Sequence, residues 1–201
     1  FSLLDLQVRL NNKYGYTSDE VLRITQDLRE KYHAITYNRS DCRYLNSEQF
    51  ENALGTLEFL QKIYSDRSFN VDSSKRSRAF NDNNTTAHTA IIPVPAKFNL
   101  DDFSVKEKNV YTEIANQYLI QFMPEKQIEI ATVDLQCEKY RFKATATKTL
   151  SNGWASLVTD EQEKESSEDA DNSPLVFEII SKLKNTDKGE CTDIQVKQEK
   201  T

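Results

Sequence analysis

Pro124 separates two apolar patterns that no single regular structure can satisfy. Before it, apolar residues recur three and four apart: Leu3, Leu6 and Leu10; Val21, Ile24 and Leu28; Phe50, Leu54, Leu57, Leu60, Ile63 and Tyr64; Val110, Tyr111, Ile114, Tyr118 and Phe122. That spacing places them on one face of a helix. After it the period is two: Ile128 and Ile130, then Val133, Leu135 and Cys137, then Tyr140, Phe142, Ala144 and Ala146, the alternation of a pleated strand. The fold class that follows is α+β, with a helical part over 1–123 and a β-rich part over 124–201.

Local signals set the expected boundaries. Thr17-Ser-Asp-Glu20 and Ser104-Val-Lys-Glu107 read as capping boxes, in which a hydroxyl and a carboxylate three residues apart satisfy free backbone amides. Gly15 is a natural helix stop, and one continuous helix is expected from Ser47 to about Tyr64. "AITY" (34–37) reads as a short buried strand ending at Tyr37. In the second part the slip at Ala131-Thr132 suggests a bulge. Glu138-Lys139 and Asn152-Gly153 suggest hairpin turns, and "PLVFEIISKL" (174–183) and "CTDIQVKQ" (191–198) are expected to be further strands.

Charge is unevenly placed. Thr159–Asn172 holds seven acids and one lysine, a net −6 that equals the formal charge of all 201 residues; the segment reads as a mobile loop. Lys62, Arg67, Lys75, Arg76 and Arg78 outweigh Asp66 and Asp72, so Lys62–Arg78 is a basic stretch suited to phosphates. The four glycines are too scattered to cradle a nucleotide phosphate, so ATP use is not expected. His33 and His88 lack ligand spacing, and Asp169-Ala-Asp171 lies in the acidic run, so no metal site is assigned within the chain. Cys42, Cys137 and Cys191 are far apart and form no CxxC, which points to a reducing, cytoplasmic setting. No stretch is apolar enough to span a bilayer, and the opening "FSLLDLQVRL" has neither a methionine nor a leader, as expected of a piece of a longer chain.

The stretch "ITYNRSDCRYL" (35–45) concentrates the candidate chemistry. A tyrosine side chain titrates near pH 10, so attack on a phosphodiester requires nearby cations or a proton acceptor. If the strand continued, Tyr37 and Arg39 would share a face, and a guanidinium matches two phosphate oxygens. The residues alone also admit a structural tyrosine beside a surface arginine, and His88 alone reads as a polar loop residue.

Several segments in order resemble the type IA DNA topoisomerases, especially the topoisomerase III branch. "FSLLDLQ" resembles the family's LQ segment, and "GYTSDEVLRITQDLREK" its G-(F/Y)-S…L…AQ-LYE helix. "ITYNRSDCRYL" resembles ITYPRTDSRYL, "AHTAIIPV" the AH-x-AI-x-P motif, and "NVYTEIANQYLIQFMPE" the helix that follows. "TVDLQCEKYRFKATATKTLSNGWASLV" resembles strands ending in a GW signature. Asn38, Ser40 and Cys42 depart from the nucleophile motif, although Ser40 keeps a hydroxyl. The resemblance implies a helical gate domain followed by part of a β-rich hinge. It also implies that Tyr37 attacks single-stranded DNA to form a 5′-phosphotyrosine link, with strand passage and religation. Arg39 and His88 would serve the scissile phosphate, and Ser40, Arg43 and the basic residues 62–78 would contact DNA. Mg²⁺ would be held by a separate acidic domain of the same protein, without which this chain is expected to be inactive, and the setting would be the nucleoid. A DNA-binding module without catalysis and an interaction domain are the alternatives.

Overall fold

The structure, a computed structural model, describes residues 1–158, 174–185 and 187–189. Two compact units emerge: residues 1–126 with 151–158, and residues 127–150 with the described residues from 174 onward. The expected strand over 191–198 and the acidic loop over 159–172 lie outside the described residues.

In the first unit, α1 (Leu3–Tyr14) and α2 (Ser18–Glu30) each begin with a capping box, Ser2/Asp5 and Thr17/Glu20. α1 ends at Gly15, whose φ of 69° is the left-handed conformation expected of a helix stop. Hydrogen bonds from Lys106 and then Thr17 hold the Glu20 carboxyl down to about 2, and Lys106 Nζ lies 2.6 Å from it. The capping box expected at Ser104/Glu107 opens α5 (Val105–Leu119).

α5 is the central element. Val110, Tyr111, Ile114, Ala115, Tyr118 and Leu119 are all buried, and α2 packs against it while α1 packs on α2. Burying those six side chains contributes roughly 1.5–3 kcal/mol for each large one. Glu113 is also buried, at 3% exposure, and is met by Lys13 Nζ at 2.8 Å, Arg9 Nε at 3.2 Å and the Tyr14 hydroxyl at 3.4 Å. A carboxylate taken out of water needs such partners. The helix also holds the short α6 (Ala155–Val158) through Asn116 Nδ2, which donates to Leu157 O, and Arg9 Nη2 of α1 donates to Val158 O.

The helix expected from Ser47 to Tyr64 is two: α3 (Ser47–Glu51) and α4 (Ala53–Ile63). They break at Asn52, which leaves helical geometry with φ −87° and ψ 3°. Apolar periodicity runs through the break and does not report it, whereas Asn offers the backbone a non-helical alternative. Residues 65–104 are loops with single 3₁₀ turns at Asp82–Asn84 and Leu100–Asp102.

The second unit is a hairpin of β1 (Gln127–Cys137) and β2 (Tyr140–Ser151), turning at Glu138-Lys139, with Glu138 at φ 54°. β1 runs through Ala131-Thr132 without a break, and its half-buried residues, Ala131 and Val133, share one face. Ala131, Val133 and Ala146 pack against a helix, while Ile128 and Ile130 are exposed. That helix, α7 (Pro174–Lys182), occupies the segment expected to be a strand. A continuous apolar run fits either structure. Here Pro174 takes the first helical position, where its missing N–H costs nothing, and Phe177 and Ile180 share a buried face.

Asn152-Gly153 turns the chain, but into α6 rather than into a third strand. Trp154 N donates to Pro124 O at 2.9 Å and Ala155 N to Asn152 O at 2.9 Å. Gly153 has φ 46°, and a Cβ there would collide with the Glu125 carbonyl. Among the described residues no helix is long and apolar enough to cross a membrane.

Two glycine substitutions should therefore move stability in opposite directions. Gly153→Ala should destabilise by about 1–3 kcal/mol through strain and contact. Gly55→Ala, in the open interior of α4, should stabilise by about 0.4–1 kcal/mol. Urea unfolding of both variants checks the signs.

Candidate active site

α2 ends in a tight cap that aims the following segment. His33 takes a left-handed φ of 53°, and Ala34 N donates to Leu28 O at 2.8 Å, closing the helix in the manner usually given to glycine. Residues 34–36 then lie beside residues 90–94. Ile35 and Pro93 form an antiparallel bridge, Val94 N donates to Ala34 O at 2.9 Å, and Thr36 N donates to Ile92 O at 3.0 Å. The Thr36 hydroxyl adds two contacts, donating to Ala90 O at 3.2 Å and accepting from Ile92 N at 3.0 Å.

This pairing brings Tyr37 and His88 together across 51 positions of sequence. Their ring centroids are 4.3 Å apart at an interplanar angle of 30°. Tyr37 is half-buried, and His88 is exposed. The Arg29 guanidinium, from the last turn of α2, lies 4.7 Å from the Tyr37 ring centroid, within cation–π range.

The strand does not continue past Tyr37. Asn38 and Arg39 form a turn, so the shared strand face expected for Tyr37 and Arg39 is absent. Asn38, at 2% exposure, explains the turn: its Nδ2 donates to Thr25 Oγ1 of α2 at 3.3 Å. Arg39 is exposed and directs Nη2 to Gln26 Oε1 at 3.4 Å. Arg29, Arg39, Tyr37 and His88 are thus all held around the C-terminal half of α2 and the 88–94 segment.

The residues expected at DNA divide by what they already hold. Ser40 is buried at 1% exposure; its hydroxyl accepts from Cys42 N at 3.1 Å and its carbonyl from Leu3 N at 2.8 Å. Arg43 is engaged with Asp5 through contacts of 2.6 and 2.7 Å. Lys75 Nζ donates to Met123 O, and Arg76 Nη2 donates to Ser47 Oγ at 2.7 Å and lies 3.6 Å from Asp82. Lys62 and Arg78 are exposed and make no ion pair among the described residues, while Arg67 meets Asp66 only at 4.0 Å.

Arg29 is the contact that sequence reading passed over. Its signal was helical phase: Gln26 and Arg29 are three apart on α2, so a side chain meeting Gln26 has Arg29 nearby. Among the described residues no three His, Cys, Asp or Glu side chains gather as a metal site. The described residues therefore offer no ligand set for Mg²⁺.

A sequence model of a family described as DNA topoisomerase matches residues 1–201. The DNA topoisomerase 3 of Vibrio cholerae is 34% identical over 204 residues, an alignment covering 100% of this chain and 30% of that protein. The DNA topoisomerase 3 of Salmonella typhimurium is 34% identical over 197 residues, covering 97% and 30%. The chain therefore spans about 30% of the length of these relatives. The solved structure of full-length topoisomerase I from Thermotoga maritima aligns with a TM-score of 0.55 at 21% identity, over 80% of this chain and 27% of that one. It bears on the fold alone.

The Arg29–Tyr37 contact is open to a double-mutant cycle with Arg29→Ala and Tyr37→Ala. Urea unfolding should give a coupling of about 0.5–1 kcal/mol, and Arg29→Lys should keep part of it. Additive single-mutant losses would remove Arg29 from the site.

Proposed function

The chain belongs to the DNA topoisomerase family, and on that premise we propose that it carries the nucleophile of a type IA topoisomerase, with Tyr37 attacking single-stranded DNA. The Tyr37 oxygen forms a bond to phosphorus as the bond from phosphorus to the 3′ oxygen breaks. The phenol loses its proton, the 3′ oxygen gains one, and the 5′ phosphate stays on the protein. One ester replaces another, so religation is the reverse step and needs no ATP. Passing a second strand while the first is held would change DNA topology, by relaxation or decatenation.

The observation that carries this reading is the close, tilted Tyr37–His88 ring pair with Arg29 on the tyrosine ring and Arg39 on the adjoining turn. In these roles His88 donates to the phosphate or the leaving oxygen, and Arg39 offsets charge as it develops on phosphorus. Lys62, Arg67 and Arg78 supply salt-sensitive attraction for the strand. Ser40 and Arg43 act through the fold, by fixing the segment after Tyr37. Mg²⁺ and further charged groups come from another domain of the whole protein, and the residues of this chain bind and orient the strand. The helical unit serves as the gate and the hairpin unit as part of the hinge, in the nucleoid.

Label transfer tests this directly. With single-stranded DNA and Mg²⁺, the whole protein that carries this chain should retain a 3′-end label after denaturation and no 5′-end label. Tyr37→Phe should abolish the adduct, because only the attacking oxygen is lost. Arg39→Ala should slow single-turnover cleavage by about 10²–10³-fold. Arg78→Ala should instead weaken binding and reduce the slope of log affinity against log salt by about 0.7. The 201-residue chain alone should give no adduct. Normal labelling in Tyr37→Phe would overturn the nucleophile, and robust labelling by the chain alone would overturn its dependence on another domain.

A further inference from the structure

The chemistry proposed for Tyr37 leaves unused a solvent-open cavity of about 390 Å³ directly beside it, within the size range of small-ligand sites. Its lining includes the Tyr37 and His88 rings, the apolar Ile92 and Pro93, and the polar Glu48, Gln49 and Asn52 of the α3–α4 region. Gln49 fixes that arrangement: its Nε2 donates to Thr89 Oγ1 at 2.9 Å and its Oε1 accepts from Asn46 N at 3.1 Å, tying α3 to the loop that bears His88.

Two polar groups are left over. Asn52 stands at the N-cap of α4, where asparagine normally bonds a backbone amide, yet its side chain makes no capping bond. The Glu48 carboxylate makes no hydrogen bond or ion pair among the described residues. No lysine or arginine lines the cavity, so a phosphate has no cation to meet inside and a carboxylate to oppose it. A flat, neutral, partly apolar group with hydrogen-bonding edges suits the cavity better. A nucleobase is such a group, and one attached to the strand under attack would be within reach.

We propose that this cavity binds one unstacked base of that strand, next to the phosphodiester that Tyr37 attacks, and that it favours bases bearing an exocyclic amino group. The Glu48 carboxylate accepts from an exocyclic amino group; it has nothing to donate to the carbonyl that thymine presents instead, and the thymine N3–H is flanked by two carbonyl oxygens that repel a carboxylate. The Asn52 amide both donates and accepts, so it matches any base and sets orientation rather than identity. This inference rests on the reading of Tyr37 as nucleophile for the position of the base relative to the reacting bond.

The test titrates the 201-residue chain with deoxyadenosine, deoxycytidine and thymidine, which carry no phosphate, while the side-chain amides of Asn52 and Gln49 are followed by NMR. Both amides should shift. Deoxyadenosine and deoxycytidine should saturate the shift at about fivefold lower concentration than thymidine, the effect of about one hydrogen bond. Glu48→Ala should erase the preference, and Asn52→Ala should weaken all three nucleosides. Silent amides, or thymidine binding as well as the others, would overturn the base site. A parallel label-transfer assay on Tyr37 in the whole protein separates the two claims. An adduct on Tyr37 with silent amides removes the base site and keeps the nucleophile. Nucleoside binding with no adduct on Tyr37 removes the nucleophile and leaves a base site without its assigned bond.

Discussion

Thr36 is the fastening on which the candidate active site depends. Its amide and hydroxyl make three hydrogen bonds to the backbone of Ala90 and Ile92, each worth about 1 kcal/mol net. They join the segment that leaves α2 to a segment that arrives after a long loop. Without that seam, the ring contact between Tyr37 and His88 would have to offset the full entropy of closing the loop. With it, the two rings meet as a consequence of backbone pairing, and the site is organised before any ligand arrives.

The same economy explains the divided roles of the basic residues. Arg43, Lys75 and Arg76 neutralise or bond groups of the fold, whereas Lys62 and Arg78 face solvent without an ion pair among the described residues. Arg29 and Arg39 are different again, since both are held by α2 close to Tyr37. Net charge near a sequence position therefore says little about which cations face a ligand. The partners supplied by folding decide that.

What was legible in the sequence follows physical range. The capping boxes at Thr17 and Ser104 and the stop at Gly15 are local chemistry within four residues, and they mark helix boundaries in the structure. The turn at Glu138-Lys139 is equally local. The break at Asn52 was hidden because apolar spacing continues through it, and α7 was hidden because a run of apolar residues has no period of its own. In the site, the motif singled out Tyr37, Arg39 and His88, but the turn between the first two depends on Asn38 reaching Thr25, thirteen residues away. The Arg29 contact and the cavity depend likewise on tertiary placement, which local pattern does not encode.

The most direct test of this organisation is the proton–proton Overhauser contact between the Tyr37 and His88 rings, measured in the chain and in Thr36→Val. At a centroid separation of 4.3 Å the wild-type chain should show strong ring-to-ring cross-peaks. Thr36→Val keeps the shape of the side chain but removes the hydroxyl bonds to Ala90 and Ile92, so the cross-peaks should weaken or vanish while those within α5 persist. Absence of the contact in the wild-type chain, or its full survival in Thr36→Val, would contradict the account.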